Sequence, residues 1–241
     1  MSRTRLHWID ANDPADAFPD PGNASRDPNG LVAAGGDLSP ARLLAAYRRG
    51  IFPWFSADQP VLWWSPDPRA VLLPEEFHSS RSLRRRLRGG EYRVSIDQAF
   101  AEVIQLCAST REQDGTWITP AMIEAYTVLH ERGLAHSVEV WSDGELAGGL
   151  YGINLGGVFF GESMVSLRSD ASKVATARLV ALARSERISL IDCQVPNDHL
   201  SSLGSRSMPR AEFLPRLRAL VDEAPLERIR PAPAESTAAL A

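Results

Sequence analysis

The stretch HSVEVWSDGELAGGLYGINLGGVFFGESM, residues 136–164, decides the fold class. Residues 136–141 alternate in polarity, the period-2 signature of a half-buried strand. Asp143-Gly144 suits the positive φ of a tight hairpin turn, and residues 145–153 alternate again. Residues 158–164 predict a third strand. Beyond it, an Ala-rich helix over 170–186 and a buried strand over 188–195 are expected, then helices over 197–203 and 210–221. Three consecutive strands, a helix and a further strand predict one mixed α/β layer domain.

Upstream, residues 1–38 are rich in Pro, Gly, Asn and Asp and predict irregular chain. Leu6, Trp8, Ile9, Phe18, Leu31 and Val32 punctuate it, so it is expected to lie ordered against a domain surface. Ser39-Pro40 opens a helix that Gly50 closes, an N-cap followed by proline at the first helical position. Residues 51–55 form a stiff aromatic turn. Strands are expected over 62–64 and 69–73, a helix over 75–88 and a short strand over 92–96. A helix over 97–108 takes Asp97 as its cap, and Thr119-Pro120 opens another that Gly133 ends. The fold class is therefore α/β in the broad sense, α+β. A smaller N-terminal α+β domain spans 1–100, a mixed-sheet domain 101–222, and a Pro/Ala-rich tail over 223–241 is expected to fray.

Composition narrows the class. The chain has 241 residues, 30 acidic and 26 basic, with formal net charge -4. Its 44% apolar and 23% charged residues are those of a globular protein, not a disordered chain, a fibre or a disulfide scaffold. No apolar run approaches the roughly 18 residues of a membrane span. The first residues lack the apolar core of a secretory signal. Cys107 and Cys193 lie far apart, so a reduced, cytoplasmic setting is expected.

The chemistry-bearing candidates are few. His7, His78, His130, His136 and His199 fall at no metal-ligand spacing, so no metal site is expected. No phosphate loop of the G-x-x-x-x-G-K-[ST] type occurs. Gly148-Gly149-Leu-Tyr-Gly152 sits inside a hairpin pattern and reads as close backbone packing. Ser163 lacks the second glycine of a nucleophile elbow, and Cys193 reads as a small buried hydrophobe. Arg81, Arg84, Arg85, Arg86, Arg88 and Arg93 crowd a stretch whose one acid is Glu91. Helical spacing puts Arg81, Arg85 and Arg88 on one face. Such a face is either simply solvated or a phosphate-binding patch, since the arginine fork matches phosphate oxygens. In Leu190-Ile-Asp192-Cys-Gln194, strand alternation predicts Asp192 and Gln194 on one face and Ile191 and Cys193 on the other. An acid and an amide in an apolar strand need partners. Glu162 ends another apolar strand.

Several segments together carry a resemblance: Asp27-Pro-Asn-Gly-Leu-Val, Gly35-Gly-Asp-Leu-Ser-Pro, Gly50-Ile-Phe-Pro-Trp-Phe, Leu62-Trp-Trp-Ser-Pro-Asp-Pro-Arg, Gly115-Thr-Trp-Ile-Thr, His136-Ser-Val-Glu-Val-Trp, Gly161-Glu-Ser-Met and Leu190-Ile-Asp-Cys-Gln. In order and spacing, from about residue 17 to 220, the chain resembles the bacterial leucyl/phenylalanyl-tRNA–protein transferases. The resemblance implies a C-terminal domain similar to the GNAT acyltransferase fold. It implies transfer of Leu or Phe, and less well Met, from aminoacyl-tRNA to proteins with N-terminal Arg or Lys, marking them for N-degron degradation. The aminoacyl ester is already activated, so neither ATP, metal nor other cofactor is implied. Family precedent places Gln194 at the reaction centre, held by Glu162, with Asp192 beside it; as an acid, Asp192 is a candidate for binding the cationic acceptor and stabilising positive charge on the attacking amine. Trp54, Trp117 and Phe159 are implied to form the side-chain pocket. Leu179 and Ala183 stand where bulkier aromatics are expected. Arg81, Arg85 and Arg88 match tRNA-contacting positions, with Arg86 able to compensate for Gly89. The 167–173 segment lacks the glycines of a CoA pyrophosphate loop, so no CoA is expected, and the default state is a monomer.

Overall fold

The computed structural model describes residues 6–110, 116–223 and 229–241. Gly115 of the quoted motif and part of the expected tail lie outside the described residues. Two sheets organise the chain. The smaller runs in the order β1-β2-β4-β3, with β1 (His7–Ile9), β2 (Leu31–Gly35), β3 (Phe52–Pro53) and β4 (Leu62–Trp64). β1 lies parallel to β2 and the other pairs are antiparallel. Helix α1 (Pro40–Arg48) follows β2, with Ser39 Oγ accepting from the Arg42 N–H as the N-cap. Arg42 and Arg49 then donate to the carbonyls of Asp13, Pro14, Phe18 and Pro19, which ties the proline-rich leader to this helix. Trp63, fully buried, donates its indole N–H to Gly35 O at 2.9 Å and meets Phe18 edge-on.

The larger sheet has the order β11-β5-β10-β9-β8-β7-β6-β12. Its strands are β5 (Arg69–Leu72), β6 (Arg93–Ile96), β7 (Ala135–Ser142), β8 (Glu145–Leu155), β9 (Val158–Ser166), β10 (Leu190–Gln194), β11 (Arg206–Met208) and β12 (Ala232–Ser236). The β7-β8-β9 meander is antiparallel. β9 and β10 run parallel, joined by helix α5 (Ala171–Ser185). Both faces are covered. Along one lie α3 (Phe100–Ser109), α4 (Pro120–Glu131) and α7 (Arg210–Glu223); along the other lie α2 (Arg81–Arg88) and α5. A short helix α6 (Asp198–Ser201) follows β10. Alternation sorts the strand residues: Val71, Phe160 and Leu190 enter the first core, while Leu72, Phe159 and Ile191 enter the second. The mixed α+β class and the strand–strand–strand–helix–strand order are as the sequence predicts. No described helix is long and apolar enough to cross a membrane.

The structure corrects four expectations. β5 and β6 precede residue 100 yet belong to the large sheet, so the change of sheet falls between β4 and β5, around the Pro66–Pro68 turn. The helix expected over 75–88 is two pieces, a 3-10 turn (Pro74–Glu76) and α2, because the Ser80 side chain caps the Leu83 N–H and restarts the chain. Asp97 is no helix cap. At φ +56° it accepts the Ser137 N–H at 2.8 Å and meets His136 Nδ1 at 2.7 Å, and α3 begins only at Phe100. Finally, the C-terminal stretch does not fray over 232–241. β12 pairs antiparallel with β6 and covers what would otherwise be an open sheet edge. Its proline content suits that place, since an outermost strand tolerates a missing N–H.

Gly152 marks the tightest approach inside the large sheet. A Cβ there would collide with the Phe160 carbonyl oxygen and stand 2.5 Å from the Phe159 ring. Gly152→Ala is therefore expected to lower stability by about 1–3 kcal/mol. Urea denaturation checks this by a lower midpoint at unchanged m-value.

Candidate active site

A cavity of about 630 Å³ opens where the small sheet meets β8, β9, β10 and α5. Its apolar wall includes Phe52, Trp117, Leu150, Leu179 and Ile191, and Glu162 and Gln194 are among the polar residues that line it. Both arrive through a fault in a strand ladder. On β9, Tyr151 pairs with Ser163 and Gly152 with Gly161, so Glu162 is an extra residue and bulges from the ladder. On β10, Asp192 pairs with Val71 but Gln194 with Ala70, so Cys193 is the extra residue. Gln194 itself takes φ +56°. A bulge re-aims the side chain it carries, and these two aim an acid and an amide at each other. Gln194 Nε2 donates to Glu162 Oε1 at 3.3 Å.

This bulge overturns simple alternation. Gln194 lines the cavity together with Ile191 and Cys193, while Asp192 turns away from it. Asp192 is fully buried and accepts from Arg69 Nε at 2.8 Å and Nη2 at 2.7 Å. The Arg69 guanidinium is itself held between the rings of Phe52, 4.7 Å away, and Phe213, 4.8 Å away. Asp192 Oδ1 also accepts the Gln194 N–H at 3.0 Å. A carboxylate so paired and so buried does not meet an incoming acceptor. Asp192 thus faces away from the cavity and holds the Gln194 backbone N–H.

Glu162 stands at the end of a hydroxyl chain. Tyr126 donates to Glu162 Oε2 at 2.8 Å, and Tyr126 in turn meets the Tyr47 hydroxyl. Burial pushes the Glu162 carboxyl up to about 7; the Tyr47 and Tyr126 hydroxyls pull the other way, and the Asp192 charge adds to the rise. Burial, with the charge of Glu162 adding to it, holds both phenols well above their ordinary value, so they remain donors. Burial also drives the Cys193 thiol far up, which removes it as a thiolate nucleophile.

The implied pocket residues divide. Trp117 lines the cavity wall. Trp54 lies at the rim, 44% exposed, edge-on to Trp64. Phe159 does not reach the cavity surface; it is buried in the second core, beneath Gly152. Of the two departures on α5, Leu179 lines the cavity and Ala183 is buried away from it. Sequence reasoning missed Tyr47, Tyr126 and Arg69. Arg69 carried a signal, a charge at the head of an otherwise apolar strand that demands a buried partner. The tyrosines, at ordinary core spacing within helices, carried none.

Helix α2 buries Leu83 and Leu87 and exposes Arg81, Arg84, Arg85 and Arg88. Among the described residues no ion pair holds Arg81, Arg85 or Arg88. Arg86 is different: it pairs with Glu91, lies near Asp170 and sits over the Tyr92 ring, so it does not stand in for Gly89.

A carboxyl raised by folding binds a proton that the unfolded chain has released. Between pH 4.5 and about 7 the folded state therefore holds the extra proton, and stability falls as pH rises through that window. Glu162→Gln is expected to be more stable than the parent above pH 7 and to lose this slope. Thermal denaturation of the two proteins across pH 4–8 checks it.

A family model described as leucyl/phenylalanyl-tRNA protein transferase matches residues 71–218, and the model of that family's N-terminal domain matches residues 36–67. The leucyl/phenylalanyl-tRNA–protein transferase of Stutzerimonas stutzeri is 58% identical over 218 residues, 90% of this chain and 96% of the relative. That of Azotobacter vinelandii is 59% identical over 198 residues, 82% and 88% of the two chains. Among solved structures, a ribosomal-protein-alanine N-acetyltransferase from Brucella melitensis is 15% identical, covering 46% of this chain and 84% of its own, at a TM-score of 0.35. A GCN5-related N-acetyltransferase from Kribbella flavida is 13% identical, covering 70% and 61%, at a TM-score of 0.35. On the family model and these close relatives, the chain belongs to the leucyl/phenylalanyl-tRNA–protein transferase family.

Proposed function

We propose that this enzyme, an aminoacyltransferase that draws on aminoacyl-tRNA, moves Leu or Phe, and less well Met, to proteins that begin with Arg or Lys. The product is a peptide bond that marks the acceptor for N-degron degradation. The observation that carries the reading is the Glu162–Gln194 contact at 3.3 Å in an apolar cavity, with the carboxyl pushed up to about 7. The acceptor's α-amine attacks the ester carbonyl; a C–N bond forms and the C–O bond to the ribose breaks. The amine must lose a proton. A neutral amide is a poor base, so Gln194 orients the amine while Glu162, with its pKa near the working pH, takes the proton. The proton then returns to the departing ribose oxygen. No ATP is needed, because the ester is the activated species.

Trp117, Leu150, Leu179 and Ile191 receive the aminoacyl side chain, Trp54 closes the rim and Phe159 supports the floor. An apolar slot discriminates weakly among Leu, Phe and Met. Arg81, Arg85 and Arg88 grip acceptor-stem phosphates, which positions the RNA without reading its sequence. The α5 N-terminus does not favour CoA. The Ser172 N–H that a pyrophosphate would take already donates to Ser166 Oγ at 2.8 Å, and Asp170 stands at the entry. The enzyme is taken to act as a cytoplasmic monomer.

Labelled Leu-tRNA offered with an Arg-initiated and an Asp-initiated peptide should label only the former; label on neither removes the proposal. The parent rate should rise with pH through about 7 and level off. Glu162→Gln should lose about 100-fold or more and that dependence with it, and Gln194→Ala should lose turnover while tRNA binding persists. Arg85→Ala should weaken tRNA binding and flatten its logarithmic salt slope by about one; filter binding across 50–200 mM salt reads this.

A further inference from the structure

The arginine helix is, by itself, a poor helix. Eight residues are too few to hold in water. Arg81, Arg84, Arg85 and Arg88 fall at spacings of three and four, where like charges repel. Its last carbonyls, like those of any helix, lack partners inside the helix. Leu83 and Leu87 are its only buried side chains. Among the elements that meet it from outside, the C-terminal stretch packs against it more closely than α5 does.

That stretch is built as a strap. Ile229 is buried in the second core. β12 pairs with β6, and Arg93 donates to the Ala234 carbonyl. Glu235 pairs with Arg178 of α5 at 3.1 Å. A final 3-10 turn (Thr237–Leu240), capped by the Ser236 hydroxyl, then packs against α2. Thr237 is fully buried, and its hydroxyl donates to Leu87 O at 2.7 Å, with Tyr92 O at 3.3 Å. It thereby satisfies a carbonyl in the last turn of α2 and pins the chain on both sides of the Gly89-Gly90 exit. All of this lies beyond residue 218, where the match to the family model ends.

We propose that residues 229–241 are a positioning element for the RNA donor: the strap fixes α2 so that its arginines present one rigid phosphate-binding face. The proposal rests on the phosphate-binding reading of α2 given above. Preorganising a charged surface lowers the ordering cost of binding, so the strap acts on recognition of the stem and not on the reaction at the ester.

Two donors separate these: full Leu-tRNA, and leucyl-adenosine, which carries the same ester and no stem. For Thr237→Val, KM for Leu-tRNA should rise about fivefold, the equilibrium worth of one hydrogen bond. Its kcat, and KM for leucyl-adenosine, should stay unchanged. Amide exchange over residues 84–88 should quicken, and Thr237→Ser should restore the parent values. A chain ending at Ser236 should show the same split, more strongly. An unchanged KM for Leu-tRNA despite faster exchange overturns the proposal. So does an equal loss with both donors, which would make the strap merely structural. Arg85→Ala, measured alongside, distinguishes the two levels. If it raises KM for Leu-tRNA while Thr237→Val does not, only the strap's role fails. If Arg85→Ala leaves KM unchanged, the phosphate-binding reading fails and the strap's role with it.

Discussion

The Arg69–Asp192 ion pair is the constraint on which the site depends. It lies where the small sheet, the large sheet and α7 meet, with the guanidinium between Phe52 of β3 and Phe213 of α7. Both side chains are fully buried, so neither charge is tolerable without the other. The bidentate fork fixes the carboxylate in orientation as well as in place. That carboxylate then holds the Gln194 N–H, which stabilises a left-handed backbone conformation that a non-glycine residue adopts at a cost. The amide reaches the cavity only because of this turn. One ion pair thus links the packing of three elements to the direction of one side chain.

The cavity combines two opposed requirements. A slot for an apolar side chain must be dry, and dryness raises the pKa of any carboxyl on its wall. Glu162 uses that effect. The same exclusion of water that suits Leu or Phe lifts its carboxyl toward neutrality, and the two tyrosine hydroxyls keep it from rising further. On the proposed reading, recognition and proton transfer share a single physical cause.

Local patterns carried most of the fold and only part of the site. The 136–164 meander, α5 and β10 follow from alternation and turn chemistry, because both faces of the sheet are covered and each face demands its own apolar set. β1, β2 and β12 were not legible, since short strands in Pro- and Gly-rich chain are formed by the partner they meet. Arg81, Arg85 and Arg88 are exposed together as helical spacing requires. The Gln194 direction was misread because a bulge depends on the neighbouring strand, which no local period encodes. Tyr47 and Tyr126 are 79 residues apart and became partners only through packing of α1 on α4.

The pairing of β5 with β10 has a kinetic meaning. Arg69 and Asp192 are separated by 123 residues, and β10 joins its two neighbours through one antiparallel and one parallel ladder. Contacts of such long sequence separation form late, after the loop-closure entropy between them has been met. The meander and its flanking helices are local and can assemble first, but they contain Glu162 without its amide. The cavity is thus completed late on such a route, since β10 brings its Ile191 wall and the Gln194 amide together.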